Sequence, residues 1–376
     1  MKHYVYLSAG FFGFSNLGGI TYFHHVREGL TLALAAYGIE AEIITVNTLP
    51  TASIRKRSKR LYDTIAATAL DAEAPIHLIG HSTGGLDTRL LVTPSASLLD
   101  TDKASLERFA SRVKSVVTVA TPHLGAPSAA FFNSIFGQNL LWAMSLGTIY
   151  TLRFGRLPLS ALFKLMGLMT HFDRARGLDN TILDQFYREL FADFDAERQA
   201  AISEFLDQIL SDRDAVGQLT PGSIDIFNGT TADRPSVRYG CVVTKAAGLS
   251  ARGLARLRFD PYAHASHTMF RMLQLLTSRN GAVPAPPKEQ SIALVRGFGE
   301  MPDRRDNDGV VPTLSQLWGE VIHTAKADHL DVCGHFNDPA HVPPHVDWFI
   351  SGSGFRRPDF EALWGDVAEF MARPNA

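Results

Sequence analysis

One serine stands out by its neighbours. Gly80-His81-Ser82-Thr83-Gly84-Gly85 follows the apolar run Ile76-His77-Leu78-Ile79 and precedes a helix-like stretch, Leu86 to Val92. G-x-S-x-G between a strand and a helix describes a turn so tight that glycines must flank the serine, and the strain presents the hydroxyl at a sheet edge. The helix N-terminus behind it favours developing negative charge. These are the requirements of a nucleophile that attacks a carbonyl carbon. The short motif alone also fits an ordinary glycine-rich turn; its strand-to-helix context assigns Ser82 as the nucleophile.

A serine hydroxyl is a weak nucleophile near neutral pH unless a histidine takes its proton and a carboxylate orients that histidine. Behind this motif the partners follow in the order Asp or Glu, then His. Asn307-Asp308-Gly309-Val310-Val311-Pro312 places a carboxylate on a turn, and Asp328-His329-Leu330-Asp331 places a histidine just beyond an apolar strand at 321–325. Asp308 and His329 are the candidate partners, against Asp303 and Asp306 as rival carboxylates and His335 as rival base. Asp-Gly is also a common turn pair, and the chain has 14 histidines, among them His323, His341 and His345 nearby. An oxyanion needs two backbone N–H donors, one from the residue after the nucleophile and one from a loop after an early strand. These would be Thr83 and Phe11, the latter following Ser8-Ala9-Gly10 at the end of the first strand; the alternative for Phe11 is an apolar loop packed on the core.

The elements that must position these groups alternate in type over the first 120 or so residues. Strand-like runs at 4–7, 42–46, 76–79 and 113–120 are separated by helical patterns at 21–37 and 53–70, which argues for parallel strands joined by crossover helices. In the second helix Ile54, Leu61 and Ile65 form one face, and Arg55, Lys56, Arg57, Lys59 and Arg60 are expected on a solvated one. The motif and this alternation predict the α/β-hydrolase fold, a mostly parallel sheet flanked by helices. From Ala129 to Thr170 the chain is rich in Phe, Leu and Met without an acidic residue, and 182–210 has amphipathic helical spacing. The expected organisation is a core of 1–123 and 234–376 interrupted by a mainly helical cap or lid at 124–233, with strands resuming at 237–243 and 321–325. The proline-rich segment 282–287 is expected to be irregular, and no repeat is visible.

The 376 residues are 45% hydrophobic and 20% charged, and 36 basic against 38 acidic residues give a net charge of -2. No global field favours nucleic acid. Residues 124–152 lack charge, but Pro127, Asn133, Gln138, Asn139 and Gly147 interrupt them, so no membrane span is expected; interfacial contact would come through the cap. Cys241 and Cys333 read as free, buried thiols. The apolar strand begins within a few residues of Met1, so no signal peptide is expected and the reading is cytoplasmic, with signal-independent export left open. Oligomeric state is not indicated.

Together these segments resemble the bacterial triacylglycerol lipases that carry a mobile lid. The residues concerned are Leu7 to Phe11, Gly80 to Gly85, Thr121-Pro122-His123-Leu124-Gly125, Asn307 to Val311 and His329-Leu330-Asp331, covering roughly 3–125 and 300–345. The resemblance implies carboxylic-ester hydrolysis by the Ser82, Asp308 and His329 set on a small ester or lipid. Ala9 stands where the family usually has histidine. The family often holds a structural calcium through an aspartate two residues after the catalytic histidine, which maps onto Asp331. His335 and Pro339 fall in the following ligand region, and the second aspartate is not identified, so no cofactor is expected with Asp331 a weak calcium candidate. The family's usual disulfide has no counterpart. Two other readings stay open: acyl transfer to an alcohol, and a non-catalytic hydrolase-fold protein that binds a ligand or partner.

Overall fold

The computed structural model describes residues 2–13, 16–17, 19–71, 73–94, 96–98, 100–170, 180–212, 214–248, 259–278 and 284–374. Its centre is a six-stranded sheet. In chain order the strands are β1 (Lys2–Ser8), β4 (Glu40–Thr45), β5 (Ile76–His81), β6 (Val113–Val119), β7 (Arg238–Thr244) and β8 (Glu320–Ala325), while β2 (Asn16–Leu17) and β3 (Ile20–Thr21) form a separate two-stranded ribbon. The spatial order is β4-β1-β5-β6-β7-β8, and every pairing in the large sheet is parallel.

Alternation along β1 divides the core. Val5 and Leu7 face one cluster, shared with α1 (Val26–Ala36) and the C-terminal helix at 357–372; Tyr4 and Tyr6 face the other, shared with α2 (Ile54–Thr68), α3 (Thr83–Val92) and α4 (Lys103–Ala110). Helix α1 begins later than the pattern suggests because Ile20 and Thr21 pair in the ribbon and His25, at the position before the helix, is left-handed. Arg57 departs from expectation: its side chain is fully buried, not on a solvated face. It lies three residues after Ile54, so helical spacing alone puts it on the apolar side.

Between β6 and β7 stand seven helices among the described residues: α5 (Ser128–Phe132), α6 (Ile135–Phe154), α7 (Leu159–Thr170), α8 (Asn180–Phe191), α9 (Ala196–Ser211), α10 (Asp214–Gln218) and α11 (Pro221–Thr230). Ser134 caps α6 by accepting from the Gly137 N–H, Gly155 ends it in the left-handed conformation, and Asp195 caps α9 through the Arg198 N–H. Among the described residues no helix is long and apolar enough to cross a membrane. After β7 come α12 (Pro261–Thr277) and α13 (Lys288–Phe298), and α14 (Arg357–Ala372) closes the chain. Residues 284–287 are irregular and 282–283 lie outside the described residues. Cys241 and Cys333 are free and buried.

Candidate active site

The candidate groups gather where the strands end at their carboxyl edge. Ser82 occupies the single position between β5 and α3, at φ 54° and ψ −128°. For a residue with a side chain this conformation costs about 1–3 kcal/mol, and the surroundings enforce it. A Cβ on Gly80 would lie 2.3 Å from the Gly84 carbonyl carbon, and one on Gly10 would lie 2.5 Å from Ser82 Cβ. The Ser82 N–H donates to the Val119 carbonyl at 2.8 Å, fixing the turn to β6.

Asp308 is fully buried. Its Oδ1 accepts the Val310 and Val311 N–H groups at 2.9 and 2.7 Å. Its Oδ2 accepts the Thr244 hydroxyl and His329 Nδ1, both at 2.8 Å. A carboxylate on Nδ1 places the proton there and leaves Nε2 as the basic lone pair. Ser82 and His329 line the same cavity, although among the described residues the Ser82 hydroxyl makes no hydrogen bond. Such contacts are commonly open without substrate and tighten when it binds.

The rivals are engaged elsewhere. Asp303 Oδ1 accepts the Arg305 and Asp306 N–H groups in an exposed turn, and Asp306 pairs with Lys245 at 2.7 Å. His335 donates from Nε2 to the Tyr22 carbonyl at 2.8 Å, and burial drives it down to about 3. His323 pairs with Asp366.

Phe11 lies on the loop after β1 and lines the cavity. Its N–H has no acceptor among the described residues, while the neighbouring Phe12 and Gly13 N–H groups donate to the Pro50 and Gly10 carbonyls. Thr83 opens α3, where a helix offers no internal acceptor for its N–H. Both N–H groups are thus available to an oxyanion.

Several contributors were not visible in the sequence. The Gly10 N–H donates to Tyr22 Oη at 3.2 Å, Tyr22 Oη meets His81 Nδ1 at 2.7 Å, and His81 Nε2 meets the His329 carbonyl at 2.9 Å. A carbonyl only accepts, so His81 donates from Nε2 and Tyr22 donates to Nδ1. Full burial, with His329 adjacent, keeps His81 far below the usual histidine range and therefore neutral. One hydrogen-bonded path thus ties the loop of Phe11, the residue before Ser82 and the backbone of His329. Below it, Arg57 donates to the Ala9 carbonyl at 2.5 Å, to the Leu49 carbonyl and to Asp87. With no histidine at position 9, the buried Arg57 anchors this loop through backbone. Burial pushes Asp87 up to about 6 in spite of that partner. Tyr22 carries no local sequence signal, His81 stands inside the motif, and Arg57 was expected on the solvated face although its helical phase, three residues after Ile54, points inward.

The cavity measures about 140 Å³ and is overwhelmingly apolar. One wall carries Ser82, His329, Phe11 and Tyr22; the other is built by Leu141, Met144, Thr148, Ile149 and Leu152 of α6 with Phe205 of α9.

Asp331 does not stand alone. Ligand atoms of Asp328, Asp331 and Asp347 lie within 4.8 Å of one another. Burial raises Asp328 to about 6, and burial with neighbouring carboxylates raises Asp331 and Asp347. Asp328 Oδ2 and Asp347 Oδ1 are buried without a hydrogen-bond partner. Orphaned carboxylate oxygens among like charges fit a hard, oxygen-seeking dication such as calcium. His335 belongs to the Tyr22 carbonyl and not to this cluster.

No family model matches the sequence, and no curated protein matches it. Solved structures do. EstA from Clostridium botulinum superposes with a TM-score of 0.53 at 18% identity over 99% of this chain and 88% of its own. Lipase 1 from Pelosinus fermentans gives 0.53 at 17% over 100% and 99%, and a metagenomic carboxyl esterase gives 0.51 at 14% over 98% and 75%. At such identities the likeness is one of architecture. With a parallel sheet in this order and helices on both faces, the chain has the α/β-hydrolase fold, the fold of these bacterial lipases and esterases.

Proposed function

We propose that the protein is a serine carboxylic-ester hydrolase acting on esters of apolar acids. The observation that carries this reading is the 2.8 Å pairing of His329 Nδ1 with the buried Asp308, on a histidine that shares an apolar cavity with the strained Ser82. In this mechanism His329 Nε2 takes the Ser82 proton as Oγ attacks the ester carbonyl, and Asp308 stabilises the resulting imidazolium. The Phe11 and Thr83 N–H groups receive the developing oxyanion, each worth roughly 3–4 kcal/mol at the transition state. His329 then returns the proton to the leaving alcohol, and water activated by the same histidine releases the acyl group from Ser82.

The seven helices between β6 and β7 act as the cap over the acyl site. An apolar cavity of about 150 Å³ accepts a group the size of benzene, so the space of about 140 Å³ suits short acyl chains. Longer chains require α6 and α9 to move outward. Asp328, Asp331 and Asp347 would hold calcium, whose charge would relieve the repulsion among them directly beside the turn that carries His329.

The test is hydrolysis of p-nitrophenyl esters from acetate to stearate by wild type and Ser82→Ala. Wild type should turn over the shorter esters, and Ser82→Ala should lose activity while keeping its circular dichroism and thermal midpoint. Near-wild-type activity in Ser82→Ala would remove Ser82 from the mechanism.

A further inference from the structure

We infer that His25, His341 and His345 form a binding site for a borderline transition-metal dication of the zinc class, separate from the carboxylate cluster. One ligand nitrogen from each lies within 4.8 Å of the others. The donors are imidazoles, which suit zinc and its neighbours, whereas the oxygen donors of Asp328, Asp331 and Asp347 suit calcium.

The hydrogen bonds around the rings match what metal-binding histidines require. His345 donates from Nδ1 to the Gly334 carbonyl at 2.7 Å, which fixes its tautomer and leaves Nε2 as a lone pair. That lone pair faces His341 Nδ1 at 2.8 Å. His25 Nδ1 meets the Glu28 carboxylate at 2.6 Å, an arrangement that orients and strengthens a histidine ligand. His25 Nε2 meets the Pro343 carbonyl at 2.8 Å. Both nitrogens of His25 therefore face groups that only accept, and a neutral ring has a single N–H to offer. A dication at Nε2 resolves that conflict: the single N–H stays at Nδ1 on Glu28, and water can solvate the exposed Pro343 carbonyl. A metal on His341 Nδ1 would displace its hydrogen bond to His345 Nε2, the ring then carrying its single N–H on Nε2.

Two further features agree. His25 itself is at φ 57°, a left-handed conformation unusual for a side-chain-bearing residue, so the fold holds this ring in place against a backbone cost. The cluster also opens on a cavity of about 560 Å³ between α1 and α14, which gives ions and a fourth, water ligand access. The charged groups around it are Glu28, Glu361, Arg357 and Asp338, the last two paired at 2.7 Å, with His24 and His335 behind. A bound ion would tie the start of α1 to the segment after the His329 turn. Those two stretches already meet through the His24 N–H on the Cys333 carbonyl and through His335 on Tyr22.

The experiment is calorimetric titration of the full-length chain, stripped with EDTA and returned to excess calcium, with Zn²⁺, followed by the absorption spectrum of the Co²⁺ form. Wild type should bind one Zn²⁺ per chain, gain thermal stability with it, and show the visible bands of nitrogen-ligated cobalt. His341→Ala and His25→Gln, each checked for folding by circular dichroism, should weaken binding by more than roughly tenfold and lose the thermal gain. Absence of saturable Zn²⁺ binding to wild type, or wild-type affinity in both variants, would overturn the site. Neither outcome depends on ester hydrolysis.

Discussion

Two walls face each other across the cavity, and they are built on different principles. On the strand side, Asp308 accepts from Thr244, Val310, Val311 and His329, and a chain of hydrogen bonds runs from Gly10 through Tyr22 and His81 to the His329 backbone. On the helical side, Leu141, Met144, Ile149 and Leu152 of α6 present hydrocarbon. Hydrogen bonds have direction, so in the proposed mechanism the strand side would specify where a proton and an oxyanion go. Apolar contact has none, so the helical side specifies only how much volume is available. Damage to the first wall should therefore change rate, and damage to the second should change which ester is chosen.

The largest effect is expected from Asp308→Asn. An amide in place of the carboxylate can donate to His329 Nδ1, which inverts the tautomer and points a proton at Ser82; kcat should fall about 10⁴-fold. Steady-state kinetics on a short p-nitrophenyl ester would measure it, and a loss below tenfold would mean that Asp308 does not orient the base.

Tyr22→Phe should come next. It leaves the Gly10 N–H and His81 Nδ1 without their partner in a buried place, a disturbance of about 2 kcal/mol that corresponds to a fall of roughly thirtyfold. Because Tyr22 positions other groups, the loss should lie in kcat with KM little changed. A change in KM alone would place Tyr22 with substrate binding instead.

Much of the strand wall was legible in the sequence. The motif at Ser82 demands a particular strand, turn and helix, and alternating hydrophobicity marked the strands on either side. Asp308 and His329 stood out as candidates because each stands in a short turn with a distinctive neighbour, and the two side chains meet at 2.8 Å. Tyr22 was not, since its meaning depends on His81, 59 residues away, and no local pattern encodes that pairing. Arg57 was misplaced because a run of basic residues suggests solvent, whereas its helical phase aims it at Asp87 and the Ala9 carbonyl. The helical wall was legible as apolar helix but not as a surface, because an all-round apolar segment such as α6 does not announce which side lines a cavity.

The histidines sharpen the same contrast through pH. Burial drives His77 in β5 and His335 down to about 3 and holds His81 and His123 well below the ordinary range. Each stays neutral when folded and takes a proton on unfolding below about pH 6.5. The unfolded state thus binds more protons, and stability falls as pH drops from about 6.5 towards 3. Asp87 and Asp328, raised to about 6, oppose this because they keep protons when folded, so the difference between variants is the clean measurement. For His77→Asn, urea unfolding at several pH values should show a stability loss shallower by up to about 1.4 kcal/mol per pH unit. An unchanged slope would mean that His77 already titrates in the folded chain. Among the described residues the seven helices between β6 and β7 carry no histidine, so these four buried histidines all lie outside the helical wall.

The smallest effect is expected on the helical wall, from Ile149→Ala. Ile149 is buried on α6 and lines the cavity opposite Ser82. Truncation deletes about three methylene-sized groups from a wall that makes no hydrogen bond to the reacting atoms, so kcat on acetate should stay within a few-fold of wild type. The added volume admits a longer acyl chain, and the ratio of kcat/KM for octanoate over acetate should rise roughly tenfold. The cost is stability, about 2 kcal/mol or more for an aliphatic residue removed from a packed helix, visible as a lower thermal midpoint. A uniform loss across all chain lengths would show that α6 supports the catalytic geometry itself, and the distinction between the two walls would then fail.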